Sequence, residues 1–409
     1  MFSILGILKY GILLTKRGLL LNIVFSFVFY ASYFVFSYYI PLNFIPSGEN
    51  RSMVQAAFNF IIAITLIVAA FLIHRIKKLH VIYVCSICSS VLAASLFVIP
   101  SNTLRILILF AIAIFFGAGQ LAFLVYFWGL TVSQERGRVA GFIAFISFLF
   151  HPIMYALIAT TLDFPRAVAL GIILSVGALI GILVKSKKAV LTAKKTENGQ
   201  HPEKRTILFY LIPWLLFSLI NATLAKNISY NISQQVVPSL YLVLTIVQAI
   251  GTIFGTLSGG FIADFFGRRM SLAFSLTLYG ISSAIAGISG STSLLYFVYI
   301  TNGLSWGILL TMYTFVVWGD LASTKNCAKM YAIGFVSFYL AQGIGLLPLE
   351  QILQIPLVVS SLVSCLIIFL SNIPIFLAPE LLSPDFTEKL RMKLHLSTIK
   401  KIKRRPNQG

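Results

Sequence analysis

The chain alternates between long apolar runs and short polar segments. The runs extend over about 20 residues, the length at which a helix rising 1.5 Å per residue crosses the hydrocarbon core of a bilayer. They lack the period-two alternation of membrane β-barrel strands. The pattern predicts about twelve membrane-spanning helices, numbered here as spans one to twelve, over residues 18–40, 52–74, 79–99, 104–129, 139–161, 165–184, 206–227, 236–262, 271–289, 293–318, 328–349 and 355–378.

Composition supports a lipid environment. Hydrophobic residues make up 58% of the 409 residues and charged residues only 10%, whereas a soluble domain averages about 25% charged residues. A water-soluble core could not hide this much apolar surface. We therefore predict an all-α polytopic membrane protein.

The formal net charge of +20 suggests a nucleic-acid partner, but the placement of the basic residues argues against it. If both termini are cytoplasmic, all but four of the 31 Lys and Arg residues lie on the cytoplasmic side, the exceptions being Arg51, Arg105, Arg166 and Lys226. This is the positive-inside distribution of a membrane protein. We expect an integral protein of the plasma membrane, with basic segments that contact anionic lipids.

Polar connections divide the chain into five segments. The longest connection, residues 185–205, carries seven basic and two acidic residues and is typical of a solvated cytoplasmic linker. It separates two predicted six-helix bundles, residues 18–184 and 206–378. An interfacial segment (1–17) precedes them. A basic cytoplasmic tail (379–409) follows, and its apolar residues at four-residue spacing predict an amphipathic helix on the anionic inner surface.

The two halves resemble each other at a fixed offset of 190 residues. Trp128–Gly129 recurs as Trp318–Gly319, and "FISF" recurs as "FVSF". The stretch "AAFLIHRIKK" in the first half aligns with "GGFIADFFGR" in the second. Three matches at one offset indicate an internal duplication, as in carriers whose two halves rock about a site near the bilayer midplane.

The segment "GGFIADFFGRRMSL" from Gly259 resembles the G-x-x-x-D-x-x-G-R-R/K loop of the major facilitator superfamily, between spans eight and nine. With the span count and the six-six division, the resemblance covers essentially the whole chain. It implies two pseudo-symmetric six-helix bundles and a secondary transporter that works by alternating access. The first-half copy departs from the motif, since His74 stands in the place of Asp264.

Two features also resemble sugar-porter members of the superfamily. They are "FGRR" in this loop and "APE" after the last span. The proline-acid motif after span six and the glutamine pair in span seven are missing. The resemblance to this subgroup is therefore partial.

The loop between spans eight and nine predicts a cytoplasmic gate motif, consisting of Gly259, Gly260, Asp264, Gly267, Arg268 and Arg269. The glycines permit close helix approach and a tight turn, and the arginines hold the loop on the cytoplasmic side. The resemblance implies that Asp264 faces the start of span five near Gly137 and Arg138, and favours the state closed to the cytoplasm. Because His74 replaces the acid in the other half, we expect an asymmetric latch. The alternative is a topology-setting loop with a local ion pair.

The acidic residues bear on ion coupling. None falls deep within a predicted span, where proton- and sodium-coupled carriers commonly use one. This favours uncoupled facilitated diffusion. The alternative is a proton-coupled carrier that uses His151, near the middle of span five, since histidine titrates near physiological pH. A neutral histidine bonded to a neighbouring helix would equally explain this residue.

Polar and aromatic side chains form stripes along several spans. The resemblance implies that spans one, four, seven and ten line the cavity and that three, six, nine and twelve face lipid. The predicted cavity residues are Asn22, Ser26, Tyr30, Tyr33, Gln120, His151, Trp214, Ser218, Asn221, Gln248, Asn302, Trp306, Tyr313 and Gln342. Hydrogen bonding between helices is the alternative for each. The uncharged, amide-rich set favours a neutral polyol, sugar or amphiphile.

Two other classes of function stay open. A polytopic membrane enzyme would need acids, histidines or metal ligands at one depth, and the five histidines are scattered along the chain. A transporter-derived sensor that binds its ligand without moving it could have the same sequence. We predict a secondary transporter of a small organic solute, with no catalytic residue, cofactor or metal.

Overall fold

The computed structural model describes residues 16–34, 49–99, 101–149, 203–347 and 349–382. All regular secondary structure in these ranges is helical. Seven helices there are long and apolar enough to cross a membrane. Two shorter apolar helical stretches, Gly18–Phe27 and Lys78–Ala93, accompany them.

Five helices of the first half are described. They are α1 (Lys16–Phe34), α2 (Glu49–Leu72), α3 (Lys78–Val98), α4 (Asn102–Leu130) and α5 (Ser133–Phe148). The Ser101 hydroxyl accepts a hydrogen bond from the Leu104 backbone nitrogen at 3.5 Å and caps the start of α4. The rest of span five and all of span six lie outside the described residues.

The second half is described almost continuously. Its helices are α6 (Lys204–Ala222), α7 (Leu224–Gln235), α8 (Pro238–Phe266), α9 (Arg268–Ile288), α10 (Thr292–Thr311), α11 (Val317–Asp320), α12 (Cys327–Leu346), α13 (Leu349–Leu353) and α14 (Leu357–Leu377). A π-helical turn, Met312–Val316, joins α10 to α11. Pro238 opens α8, where its missing N–H leaves no intrahelical bond unmade.

Residues 228–235 differ from the sequence-based expectation. They were expected to connect spans seven and eight, but they form most of α7. Ile228 and Ile232, one turn apart, pack into an apolar cluster that includes Leu244 and Val298. The polar composition of the segment predicted a connection, but the segment is an amphipathic helix.

The internal repeat recurs in the helix boundaries. α3 begins at Lys78 and α9 at Arg268, 190 residues later. α4 begins at Asn102 and α10 at Thr292, again 190 residues apart. The two halves thus share the same helix register in this part of the chain.

The halves pack against each other where α5 meets α8 and where α2 meets α12. Gly260 on α8 lies so close to α5 that an added Cβ would lie 2.9 Å from the Gly141 Cα and would overlap the Gly137 carbonyl oxygen. Gly259 faces the other way, and its added Cβ would lie 2.8 Å from the Ile308 Cα on α10. Adjacent glycines on α8 therefore allow close approach to two different helices.

The outer faces of the helices are apolar and exposed. Examples are Ile64 and Phe71 on α2 and Leu362 and Leu366 on α14. Apolar surface of this extent is unfavourable in water and suits contact with lipid chains.

Candidate functional site

Two features lie along the contact between the halves. The first, called here the ionic cluster, joins the ends of α8 and α11 to the starts of α5 and α9, and its residues are Arg136, Arg138, Asp264, Arg268 and Asp320. The second, called here the cavity, has a volume of about 730 Å³ and extends to the starts of α2 and α7. α8 lines the cavity with its first half and ends in the ionic cluster.

Asp264 joins the last turn of α8 to the second turn of α5. Its Oδ1 accepts a hydrogen bond from the Gly137 backbone nitrogen at 3.1 Å. Its Oδ2 accepts from the Arg138 backbone nitrogen at 2.9 Å and from the Arg138 Nε at 3.0 Å. The structure thus places Asp264 against the two residues that the sequence named as its partners.

Asp320 makes a second connection to α5. Its Oδ1 accepts a hydrogen bond from the Ser133 hydroxyl at 2.8 Å and forms an ion pair with Nη1 of Arg136. The Arg136 guanidinium also donates to the Thr131 hydroxyl and carbonyl oxygens, at 3.3 and 3.2 Å. These bonds fix the guanidinium between the end of α4 and the end of α11.

Arg268 connects the two carboxylates. Its Nη1 donates to Asp264 Oδ1 at 2.7 Å, and its Nε donates to Asp320 Oδ2 at 2.8 Å. Its Nη2 donates to the Ser133 carbonyl oxygen, so that one side chain contacts α5, α8 and α11.

The ionic cluster is buried. Each of its side chains exposes at most 2% of its surface. Removing one partner of such a buried pair costs roughly 3–5 kcal/mol, because it leaves an uncompensated charge away from water. The cluster therefore favours the arrangement in which α5, α8 and α11 are in contact.

The turn between α8 and α9 has its own anionic partner. Gly267 has a φ of +102°, which L side chains rarely adopt. Glu380 accepts hydrogen bonds from the backbone nitrogens of Arg268 at 2.8 Å and Arg269 at 3.1 Å. The "APE" segment thus supplies an acid at the positive N-terminal end of α9.

The equivalent loop of the first half is built differently. His74 and Lys77 are exposed, and His74 belongs to a short 3-10 turn after α2. Asp264, at the corresponding position of the second half, is fully buried. The contact between the halves is therefore asymmetric at these two positions.

Amide and aromatic side chains make paired contacts in the cavity. Gln248 Nε2 donates to Asn302 Oδ1 at 2.7 Å. Trp306 Nε1 donates to Asn221 Oδ1 at 2.8 Å. Each pair connects two helices of the second half and leaves further amide donors and acceptors available to a ligand.

A hydrogen bond joins the two halves at the cavity. The Tyr339 hydroxyl on α12 donates to Gln120 Oε1 on α4 at 2.8 Å. Both residues line the cavity. A solute that contacts either residue would touch a group shared by the two halves.

Stacked rings form part of the cavity wall. The Trp214 ring stacks on Tyr313 with centroids 4.5 Å apart and on Phe338 at 5.6 Å. Its Nε1 donates to the Gly334 carbonyl oxygen at 2.7 Å, which fixes the ring plane. Tyr313 belongs to the π-helical turn after α10, a local irregularity that is frequent at functional sites.

Half of the predicted cavity residues line the cavity in the structure. They are Gln120, Trp214, Asn221, Gln248, Asn302, Trp306 and Gln342. The side chains of Tyr30 and Tyr33 lie outside the described part of the chain, and so does all of His151.

Four predicted cavity residues are buried in contacts between or within helices. Ser26 accepts a hydrogen bond from Ser147 at 2.8 Å, and Asn22 donates to the Gly18 carbonyl oxygen at 2.8 Å. Tyr313 stacks behind Trp214, and Ser218 is fully buried. None of the four is among the cavity-lining residues, and all four are fully buried.

Several lining residues were not predicted. Tyr279, Ser282 and Ser283 on α9 line the cavity, although the resemblance assigned span nine to the lipid face. Arg51 and Lys226 also line it, at its end away from the ionic cluster. A hydroxyl stripe on α9 was the available signal, because these three residues share one helix face.

Asp320 and Arg136 were also missed as members of the ionic cluster. The available signal was the rarity of acids, since only 11 of the 409 residues are Asp or Glu. Asp320 and Asp264 both stand at helix ends on the same side of the predicted membrane.

Comparison with known proteins supports a transporter fold. Residues 213–374 match the family model described as "Sugar (and other) transporter". The solved structure of FucP, a major facilitator superfamily transporter in the outward conformation, is similar to this chain with a TM-score of 0.66 at 12% sequence identity. The similarity covers 88% of this chain and 98% of that chain. No curated protein sequence matches this chain.

The structural similarity establishes the fold, and the family match extends over much of the second half. The predicted fold class is confirmed, and the family match supports the predicted resemblance over residues 213–374. The chain is an integral membrane protein with the all-α fold of the major facilitator superfamily, and its second half is similar to sugar and other transporters.

Proposed function

We propose that this protein carries a small hydroxylated organic solute across the plasma membrane by alternating access. The observation that supports this most directly is a difference between the two ends of the contact between the halves. Buried ion pairs hold one end together, while the cavity extends to the other end. A carrier that is closed to one side of the membrane and open to the other would have this arrangement.

The ionic cluster is assigned to the cytoplasmic side. Arg269, Lys77 and Lys78 lie at this end of the helices, and the positive-inside rule places such residues in the cytoplasm. With this orientation the cavity faces outward. The similarity to a transporter solved in the outward conformation accords with that assignment.

The ionic cluster acts as the cytoplasmic gate in this proposal. Opening that side separates α5 from α8, so the bonds from Gly137 and Arg138 to Asp264 must break. Water that enters the opening solvates the separated charges. Solute binding shifts the balance only by the difference in its affinity for the two states, and contacts shared by both halves, such as Gln120 with Tyr339, supply that difference.

The lining of the cavity supports a sugar-like solute. Amide groups of Asn221, Gln248, Asn302 and Gln342 provide both donors and acceptors, which match neighbouring hydroxyl groups. The Trp306 ring adds flat apolar surface for the C–H face of such a solute. The family match to sugar and other transporters agrees with this chemistry.

Transport is proposed to be uncoupled from an ion gradient. Among the described residues that line the cavity there is no aspartate or glutamate, the residues that commonly carry the coupling proton or sodium ion. His151 is the residue that would support the proton-coupled alternative.

The test is counterflow in liposomes that contain the purified protein. A panel of labelled neutral sugars, polyols, sugar acids and amino acids is exchanged against the same unlabelled solute. We expect saturable exchange of at least one hydroxylated solute, with no dependence on a pH gradient. Uptake that follows the gradient and is abolished by His151→Ala would establish proton coupling instead. Ligand binding without exchange of any solute would establish a sensor.

A further inference from the structure

Lys226 stands in the wall of the cavity. It is the third residue of α7 and is half-buried among the lining residues. The next residue, Asn227, is fully buried on another face of the helix, where its Nδ2 donates to the Ile355 carbonyl oxygen at 2.8 Å and to the Ser360 hydroxyl at 2.5 Å. These bonds set the rotation of α7 and keep Lys226 on the cavity side.

The charges of the cavity wall have one sign. Among the described residues that line the cavity, the charged ones are Lys226 and Arg51, both basic. The described residues show no ion pair to Lys226. A cleft lined by charge of one sign with apolar walls attracts the opposite charge.

Residues with hydroxyl groups line the cavity together with Lys226. Ser229 lies one turn after Lys226 on the same helix face and also lines the cavity. Its hydroxyl is hydrogen-bonded to the Tyr241 hydroxyl at 2.8 Å. Tyr299, a further lining residue, adds another hydroxyl nearby on α10. This is a set of donors that an oxyanion could use together with the lysine.

We propose that the transported solute carries an anionic group, a carboxylate or a phosphate, on its hydroxylated body, and that Lys226 binds this group. The inference rests on the proposed transport function and narrows its substrate class. The amides and Trp306 bind the hydroxylated part, and the cationic end of the cavity binds the acid. The proposal differs from the neutral solute that the uncharged, amide-rich set of predicted cavity residues favoured.

The proposal predicts that the cavity prefers a sugar acid to a neutral sugar of the same shape. A neutral sugar leaves the ammonium group without a counter-charge when the bound solute displaces water around it, which is unfavourable. A sugar acid of the same shape supplies that charge. Selectivity for the acid over the neutral sugar therefore depends on Lys226.

The test uses matched pairs of probes on the full-length protein. D-glucuronate, D-galacturonate and glucose 6-phosphate are compared with D-glucose and D-galactose, by thermal stabilisation of the purified protein and by counterflow in liposomes. The two sugar acids and the sugar phosphate distinguish a carboxylate from a phosphate. The variants are Lys226→Gln, Lys226→Arg and, as a charge-matched control, Lys325→Gln in an exposed loop.

We expect at least one anionic probe to bind and exchange better than its neutral partner. Lys226→Gln should weaken that probe roughly tenfold or more while changing the neutral sugar little, because the bond it removes is to a charged group. Lys226→Arg should retain most of the preference, and Lys325→Gln should retain all of it. Equal effects of Lys226→Gln on both probes, or a preference for the neutral sugar, would overturn the inference and leave the transport function intact. Stabilisation by the acid without exchange of any solute would instead refute the transport function and keep the anion site.

Discussion

Asp264 and Arg138 are 126 residues apart in sequence, yet the aspartate Oδ2 accepts two hydrogen bonds from the arginine, at 2.9 and 3.0 Å. One comes from the backbone and one from the side chain. Both residues are buried, one on α8 and the other on α5. The two halves of the protein are therefore held together at this end by charge and by backbone geometry at once.

Asp264→Asn removes the charge and keeps the size of the side chain. Three buried arginines would then share one carboxylate within the ionic cluster. We expect the closed arrangement to lose about 3 kcal/mol and transport to fall. The readout is thiol labelling of Cys327. This residue is buried and interacts electrostatically with Arg136 of the ionic cluster. The other three cysteines, Cys85, Cys88 and Cys365, are replaced by serine.

The control for this variant is provided by the internal repeat. His74→Ala changes the corresponding position of the first half, which is exposed. We expect Cys327 labelling and transport to stay near the wild-type level. Labelling that is equally slow in Asp264→Asn and in the wild type would show that the ionic cluster does not act as a gate.

Gly260→Ala tests the backbone contribution. The new methyl group would overlap the Gly137 carbonyl oxygen and press on Gly141. Because backbone atoms cannot turn aside, α5 and α8 must separate, at a cost of roughly 1–3 kcal/mol. The measurement is thermal unfolding in detergent, combined with Cys327 labelling. Gly129→Ala is the control, since its added Cβ would meet no heavy atom of the described residues within 4 Å outside its own stretch of helix. Equal stability of the two variants would contradict the prediction.

Gly267→Ala and Glu380→Gln test the turn before α9. An alanine at φ +102° is strained by roughly 1–3 kcal/mol, and its Cβ would lie 2.5 Å from Glu380 Oε2. Glu380→Gln removes only the charge at the helix start, which is worth about 0.3–2 kcal/mol. We expect the alanine variant to be the less stable of the two. The alanine Cβ collides with the Glu380 carboxylate, so Gly267→Ala already disturbs the contact of Glu380 with the start of α9. The double variant should therefore lose less stability than the two single losses added together.

Trp306→Phe tests the cavity. The phenyl ring preserves most of the apolar surface but cannot donate to Asn221. We expect a loss of about 1 kcal/mol in solute binding, roughly a fivefold rise in the KM of counterflow, with Cys327 labelling unchanged. Trp128→Phe is the paired variant, because Trp128 Nε1 donates to the Gly319 carbonyl oxygen beside Asp320. It should speed labelling and leave the KM near the wild-type value. A reversed pattern would show that the gate and the cavity are assigned to the wrong residues.

Part of the ionic cluster could be predicted from the sequence. Asp264, Arg268, Arg269 and the glycines beside them form a short motif, so their spacing could be recognised without a structure. The residues that complete the ionic cluster are remote from the motif. Asp320 and Arg136 come from other helices, and no local pattern marks Asp320 as the partner of Arg268 and of Arg136.

The cavity was less predictable. Polar residues at helical spacing correctly marked Gln248, Asn302 and Trp306, but Ser26 and Ser218 have the same local pattern and are buried between helices. In water the polar face of a helix points outward, so polarity reveals its rotation. In lipid both the outer face and much of the packed face are apolar, and this signal is weak.

The sequence by itself determined that the protein is helical, lies in a membrane and resembles the major facilitator superfamily, because apolar length, composition and a short motif are local properties of the chain. The tertiary structure alone decided which side chains meet. Gln120 bonds Tyr339 at a separation of 219 residues, and Lys226 faces the cavity because Asn227 is bonded to Ile355 and Ser360. Such contacts depend on how each helix is rotated and tilted against its neighbours, which packing between distant segments sets.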